Sequence, residues 1–523
     1  MSRTSSPARR QEDRSNLWRS FAWVVGASLS LVIVTTAVEI LRLKSGVSWG
    51  KFLLPTDLQS AATSLEGVLE TMISLLGLTI TVVSIVVQLA AQRYTPKITE
   101  LFLKDRYNVG FFLLMVVTSI FILLTRTTLH QDFVPTASVT TSVVLVMLSL
   151  ALLAPYMGYV FKQLQPKQVI STIKQGGVSA MRGEGLRQHL TLDQRQTELV
   201  QSIEIIADIT INSIAQGDRG QAMHAIDAIS EIYVDYLEAK SSLPKLWRRT
   251  SKEMFLTISP EFFDEITRTN VWVEAKILME LEVIFEAALQ HQVNVISNLA
   301  TVIREAGLRA LHLGDHRVLR LETNFFNNFC RQAINKSNLR AIYSIFYHYR
   351  LLTEALMDDA PDLMLDVMIY IKYYGQLANQ EGLPFAMVIA AYDLSTLCET
   401  AYHRNYPKQR EALAIFLELD EDPENDEQEK ANRGVRKAQA ILASFYIEVG
   451  ATEFVEAIAN DMAEETPDRL RSIRDELRSV HHSKFWEVTD RGINFDFVPE
   501  ERRAFLDQYF ELAIGKASDT ASR

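Results

Sequence analysis

The chain has 523 residues, 48% of them hydrophobic and 22% charged, with a formal net charge of −11, a length that suits two or three folding units. The acidic balance excludes nucleic acid as a main partner, because phosphate neutralisation needs a clustered Lys/Arg surface and the runs Arg248-Arg249 and Arg433 to Lys437 are too short. Only two cysteines occur, Cys330 and Cys398, which excludes a disulfide framework and favours a reducing compartment.

The charge is unevenly spread. Residues 1–165 carry 14 Lys+Arg against 9 Asp+Glu, whereas the remainder carries 39 against 55. A membrane-embedded front with basic flanks, followed by an acidic soluble body, fits this division. The first 16 residues, MSRTSSPARRQEDRSN, are basic and polar and read as a disordered tail. The apolar run behind them is longer than a signal-peptide core and lacks a small-x-small cleavage context, so it reads as a retained span.

Four runs have the length to cross the hydrocarbon core: Trp18 to Leu41, Leu65 to Ala91, Val109 to Leu124 and Ala137 to Phe161. The N-terminal tail, the loop after the second run and the stretch after the fourth hold twelve Lys/Arg, against four in the other two loops. This places both termini and the soluble body in the cytoplasm, in a multi-pass protein of the inner cell membrane. Pro155 and Gly158 predict a bend in the fourth run.

The second run carries a polar stripe. At about 100° per residue, Glu66, Glu70, Ser74, Gly77, Thr81, Ser84, Gln88 and Gln92 fall within an arc roughly 80° wide. Such a face must meet protein or water rather than lipid. Two readings stand. In one, the stripe packs against helices of its own chain, since small and hydroxyl residues let backbones approach. In the other, copies of this helix assemble around an axis and the stripe lines a cation-favouring path.

The connection after this run, Thr95-Pro96-Lys97 to Asp105-Arg106, predicts a short interfacial helix with Thr95 as cap and Pro96 in its first turn. Ile98, Leu101 and Phe102 share one face, and Lys97, Lys104 and Arg106 offer charge to headgroups. The run LEGVLETMISLLGLTITVVSIVVQLAAQRYTPKITELFLKDR resembles DUF2254, a bacterial family of predicted membrane proteins classed as a domain of unknown function. Gln88, Tyr94, Thr95, Pro96, Lys97, Phe102 and Asp105 are the matching positions. The similarity covers residues 18–165 well and 197–240 weakly. It departs from the family at the turn 216–220, where an Asn-Asp-Pro-like sequence is replaced by Gln-Gly-Asp-Arg-Gly, and at 162–195, too short for the β-rich module that many members insert. The resemblance implies a membrane protein with no established activity.

Beyond residue 197 nearly every segment has helical period and ends in a turn signal. Helices are predicted over 199–215, 221–239, 273–290, 293–312, 317–334, 338–357, 362–378, 384–402, 432–448, 451–465, 467–480 and 499–515. An echo links Gln-Gly-Asp at 216–218 with Lys-Ser-Asn at 336–338, each leading into an Ala-Ile helix, which suggests stacked helical hairpins without a regular repeat. The fold class is all-α: a four-span transmembrane bundle followed by a large cytoplasmic, solenoid-like helical domain. The expected division is a tail (1–16), a transmembrane domain (17–165), a linker (166–196), a helical domain (197–415), an acidic flexible loop (416–431), a C-terminal helical region (432–516) and a disordered tail (517–523).

Chemistry-bearing motifs are not found. The acidic run 418–429 lacks the central Gly of a calcium loop, with Pro423 in that place. His312 and His316 are separated by Gly314-Asp315, which ends a helix and spoils an i, i+4 ligand pair, while adjacent His481 and His482 point to different sides of a helix. No phosphate-binding Gly loop, nucleophile elbow or catalytic cysteine setting is visible. The expectation is no catalytic residues, no metal and no cofactor, with the lipid bilayer, further copies of the chain and a cytoplasmic protein as candidate partners. A membrane-anchored helical scaffold is the leading functional reading, and a homo-oligomeric cation channel the alternative.

Overall fold

The computed structural model describes residues 58–130, 134–255, 258–291, 295–420, 423, 425–484 and 491–521, plus scattered positions between 26 and 41. The side chains of Lys97, Glu100, Leu101, Lys104, Leu186, Thr520 and Ala521 fall outside the description. All regular structure among the described residues is helical. The chain divides into two compact units, Met1–Val169 and Ile170–Arg523.

In the first unit, α1 (Leu58–Arg93), α3 (Arg106–Thr127) and α4 (Thr136–Gln163) are each long and apolar enough to cross a membrane. At 1.5 Å per residue, the 36 residues of α1 extend about 54 Å, well beyond the roughly 30 Å hydrocarbon core. Their shared core joins Leu65, Met72 and Val83 of α1 to Phe111, Met115 and Ile122 of α3 and to Val139, Val146 and Val160 of α4. α4 continues through Pro155 as one helix. The predicted first span, 18–41, and the tail before it lie largely outside the described residues. Thr35 is described as helical, and its hydroxyl accepts from Ser138 of α4 at 2.9 Å.

The helix between the first two of these spans is present as α2 (Lys97–Lys104). Its cap differs from expectation. Pro96 itself occupies the cap position in helical conformation, so no side-chain cap is made there, and Thr95 contributes its carbonyl to the amide of Ile98 at 3.1 Å. Ile98 and Phe102 turn inward and are buried, and Leu103 is exposed. The next corner is built by Asp105, which caps α3 by accepting from the amides of Tyr107 and Asn108 at 3.2 and 3.1 Å. The hydroxyl of Tyr159 on α4 donates to the same carboxylate at 2.9 Å.

The predicted linker contains a 17-residue helix, α5 (Pro166–Arg182). Most of this helix lies in the second unit, where Lys174 pairs with Glu231 and Arg182 with Asp235. That unit continues as α6 (Leu192–Ala215), α7 (Arg219–Ala239), α8 (Pro260–Thr269), α9 (Trp272–His291), α10 (Ile296–His312), α11 (His316–Asn335), α12 (Leu339–Asp359), α13 (Pro361–Gln380) and α14 (Pro384–His403). It ends with α15 (Gln409–Leu417), α16 (Asp426–Glu448), α17 (Thr452–Asp461), α18 (Pro467–Ser479) and α19 (Glu500–Ala521).

The hairpins are more regular than the sequence suggested. α11 to α14 begin at His316, Leu339, Pro361 and Pro384, so one helix starts every 22 or 23 residues. Turn chemistry sets the beat. Gly217, Gly314 and Ser337 adopt left-handed backbone, and the following Asp218, Asp315 and Asn338 cap the next helix by accepting from Gln221, Val318 and Ala341. The echo between 216–218 and 336–338 is therefore one turn design used three times.

The acidic run also differs from expectation. Asn425 caps α16, and Asp426, Glu427 and Glu429 occupy its first turn, where the helix dipole favours carboxylates. Asp420 pairs with Arg436 at 2.6 Å. His481 and His482 lie beyond the end of α18 rather than on a helix, and α19 runs past residue 516.

Candidate functional site

All eight stripe residues are exposed: Glu66, Glu70, Ser74, Gly77, Thr81, Ser84, Gln88 and Gln92. The opposite side of α1 supplies the core, through Leu65, Met72, Leu75, Thr79, Val83 and Val87. The reading in which the stripe packs within its own chain expects a buried face, whereas the described helices leave it exposed. α1 carries enough apolar surface to fill the core with its other face, which gains more than burying carboxylates would.

Local bonding leaves the stripe open. The hydroxyl of Thr81 donates to the carbonyl of Gly77 at 2.9 Å, so its oxygen can still accept. A Cβ built on Gly77 meets nothing within 4 Å. At one end, Arg126 from the last turn of α3 forms an ion pair with Glu66. Exposed Ile73, Leu78, Ile85 and Leu89 flank the stripe.

Hydroxyl-mediated packing does occur, with different residues. Thr79 of α1, Thr118 and Thr125 of α3, and Ser138, Ser142 and Ser149 of α4 are all buried. Thr79, Ser142 and Ser149 donate to carbonyls one turn back at 2.7 to 3.0 Å. Small hydroxyl residues at these crossings let the helices approach. The seven-residue step from Thr118 to Thr125 was the available signal in the sequence, masked by the stronger pattern on α1.

The interfacial residues are only partly gathered. Phe102 joins the membrane-unit core, Asp105 is the corner cap, and the Arg106 guanidinium lies 4.9 Å from the Tyr107 ring centroid. Thr95 is buried and Pro96 exposed.

In the second unit, one buried polar cluster serves as an internal tie. Asp393 is buried and bound by Arg350 at 3.1 Å and by both terminal nitrogens of Arg491. The Arg491 guanidinium sits over the rings of Tyr343, Tyr347 and Phe495. His312 ends α10 and His316 begins α11, so the turn separates them. Among the described residues no group of three or more His, Cys, Asp or Glu is placed to hold a metal ion. Cys330 and Cys398 are buried thiols, both pushed up in pKa by burial.

Three apolar helices of membrane-crossing length, with only helical regular structure among the described residues, define the class as an α-helical membrane protein. Residues 14–205 match the model of the family described as predicted membrane protein (DUF2254). The match covers the membrane unit from residue 14 onward and ends within α6. No curated protein matches the chain. One solved structure, a circular tandem repeat protein with novel repeat topology and enhanced subunit contact surfaces, aligns over 89% of this chain and 97% of its own at 11% identity. Its TM-score of 0.32 is too low to inform the fold.

Proposed function

We propose that this protein works as a homo-oligomer in the inner membrane, with the polar face of α1 turned towards an axis between copies and forming a cation-favouring path. The observation that carries this reading is the exposure of all eight stripe residues. A polar face on a spanning helix is costly against hydrocarbon and is relieved by water or by a polar partner. With Glu66 engaged by Arg126, Glu70 carries the acidic character of the mouth. Ser74, Thr81 and Ser84 form the hydroxyl-lined middle, and Gln88 and Gln92 the far constriction.

The run 18–41 supplies a fourth span in this arrangement. The excess of Lys and Arg in the tail, the loop after the second run and the stretch after the fourth supports a cytoplasmic position for both termini and the helical body. There the body acts as a scaffold or regulatory element that captures a protein partner. Its regular hairpins support that role, because stacked helix pairs present extended binding surfaces.

The deciding experiment introduces cysteine at Ser74 or Thr81 and crosslinks the full-length protein in membranes. Self-crosslinks at both sites, together with a reconstituted conductance whose cation preference falls in Glu70→Gln, are expected. An electrically silent bilayer without self-crosslinks would sink the conduit and leave the anchored scaffold.

A further inference from the structure

An apolar groove of about 310 Å³ lies where α2 meets α3, lined by Phe102, Asn108, Val109, Phe112, Leu113 and Val116. Between Asn108 and Val116 it follows α3 for about 12 Å. Its base is tied by side-chain contacts. Asp105 caps α3 and receives the Tyr159 hydroxyl, and Phe111 stacks on Tyr156 with ring centroids 3.9 Å apart.

Asn108 makes this more than a bare apolar surface. Its side-chain nitrogen donates to the carbonyl of Phe102 at 3.0 Å, which fixes the carboxamide. Its oxygen has no partner, although the residue is only 2% exposed. A buried acceptor carries its desolvation cost until a donor reaches it. Two residues away is Arg106, exposed, its guanidinium beside Tyr107 and able to donate further hydrogen bonds. Along the chain the order is cation, hydrogen-bond acceptor, apolar channel.

We propose that the groove binds one anionic glycerophospholipid. Its phosphate pairs with Arg106, a headgroup hydroxyl donates to the Asn108 carboxamide oxygen, and the upper part of one acyl chain lies along Val109, Phe112, Leu113 and Val116. The site requires α2 to α4 to lie in a membrane and is independent of conduction or assembly.

The test is native mass spectrometry of the full-length protein in neutral phosphatidylcholine micelles doped with phosphatidylglycerol. The wild type retains phosphatidylglycerol with roughly tenfold preference, the scale that one charge-assisted hydrogen bond supplies. Arg106→Gln reduces the preference while still retaining lipid. Val109→Trp, at a position 52% exposed, fills the groove and abolishes retention, and Leu113→Trp serves if that variant loses helicity. Equal retention of the two lipids overturns the proposal, as does undiminished retention in both tryptophan variants. Displacement by free glycerol phosphate also overturns it, because the site would then recognise phosphate and not a lipid.

Discussion

Glu322 of α11 is fully buried, with one carboxyl oxygen accepting from the Tyr233 hydroxyl at 2.9 Å and the other without a partner. Burial pushes its pKa well above the usual carboxylate range, and the neighbouring Glu274 and Asp315 add to that. Glu274 is likewise fully buried and raised by burial, although Lys240 opposes this and pairs with it and with Asp315. Because the folded state favours the neutral acid of Glu322, its contribution to stability is full below the ordinary glutamate value of 4.5. It is lost as pH rises from there through the raised folded value, by about 1.4 kcal/mol for each pH unit between the two. Glu322→Gln, which mimics the neutral acid, is expected to be at least as stable as wild type near pH 8 and less pH-dependent between about pH 5 and 8. Thermal unfolding at both pH values checks this; a strongly destabilised glutamine variant at pH 8 would mean that the carboxylate is the native form. Glu322 was readable in the sequence only as a charge on an otherwise apolar face, alongside Val318, Phe325, Phe326 and Phe329. Nothing in the sequence says that Tyr233 meets it from another helix.

At the scale of elements, the helices of the body were legible because apolar period and turn residues act locally. α8 and α15, only 10 and 9 residues long, were missed because so short a segment shows too few turns to establish a period. Close approach of helices is a tertiary matter. On α13, a Cβ at Gly375 would stand 2.7 Å from the Cβ of Ala390 on α14, an atom that cannot rotate away. Gly375→Ala is therefore expected to cost about 1–3 kcal/mol, measured by thermal or denaturant unfolding. Gly77 on α1 faces open space. Gly77→Ala should leave unfolding unchanged within about 0.5 kcal/mol while weakening crosslinks at Ser74 if two copies of α1 meet closely there. Unaltered crosslinks would place the contact elsewhere on the stripe.

At the scale of the molecule, the division after Val169 falls close to the change from a basic apolar front to an acidic body. The second unit has its own core, with Trp272, Tyr233, Phe285, Phe326, Phe346 and Tyr446 fully or almost fully buried. A fragment covering 166–523, which keeps α5 intact, is expected to be soluble without detergent and strongly helical. Circular dichroism and sedimentation would check this, and a fragment that only aggregates would show that the body needs the membrane unit to fold. The segment between α18 and α19 could not be placed from sequence, because its anchors are distant. Tyr392 of α14 donates to Asp496 at 2.5 Å, and Lys437 of α16 reaches the same carboxylate at 2.9 Å.

The sequence by itself determined the helical class, the apolar runs, most helix boundaries and the existence of a polar stripe, because each follows from the period or from a residue's own backbone preference. Only the tertiary structure decided which side of α1 faces its neighbours. That choice depends on how three apolar helices fit together, and they closed on Leu65, Met72, Val83 and a buried seam of hydroxyls. Apart from the Glu66–Arg126 ion pair, the stripe was left on the face that the described helices do not use.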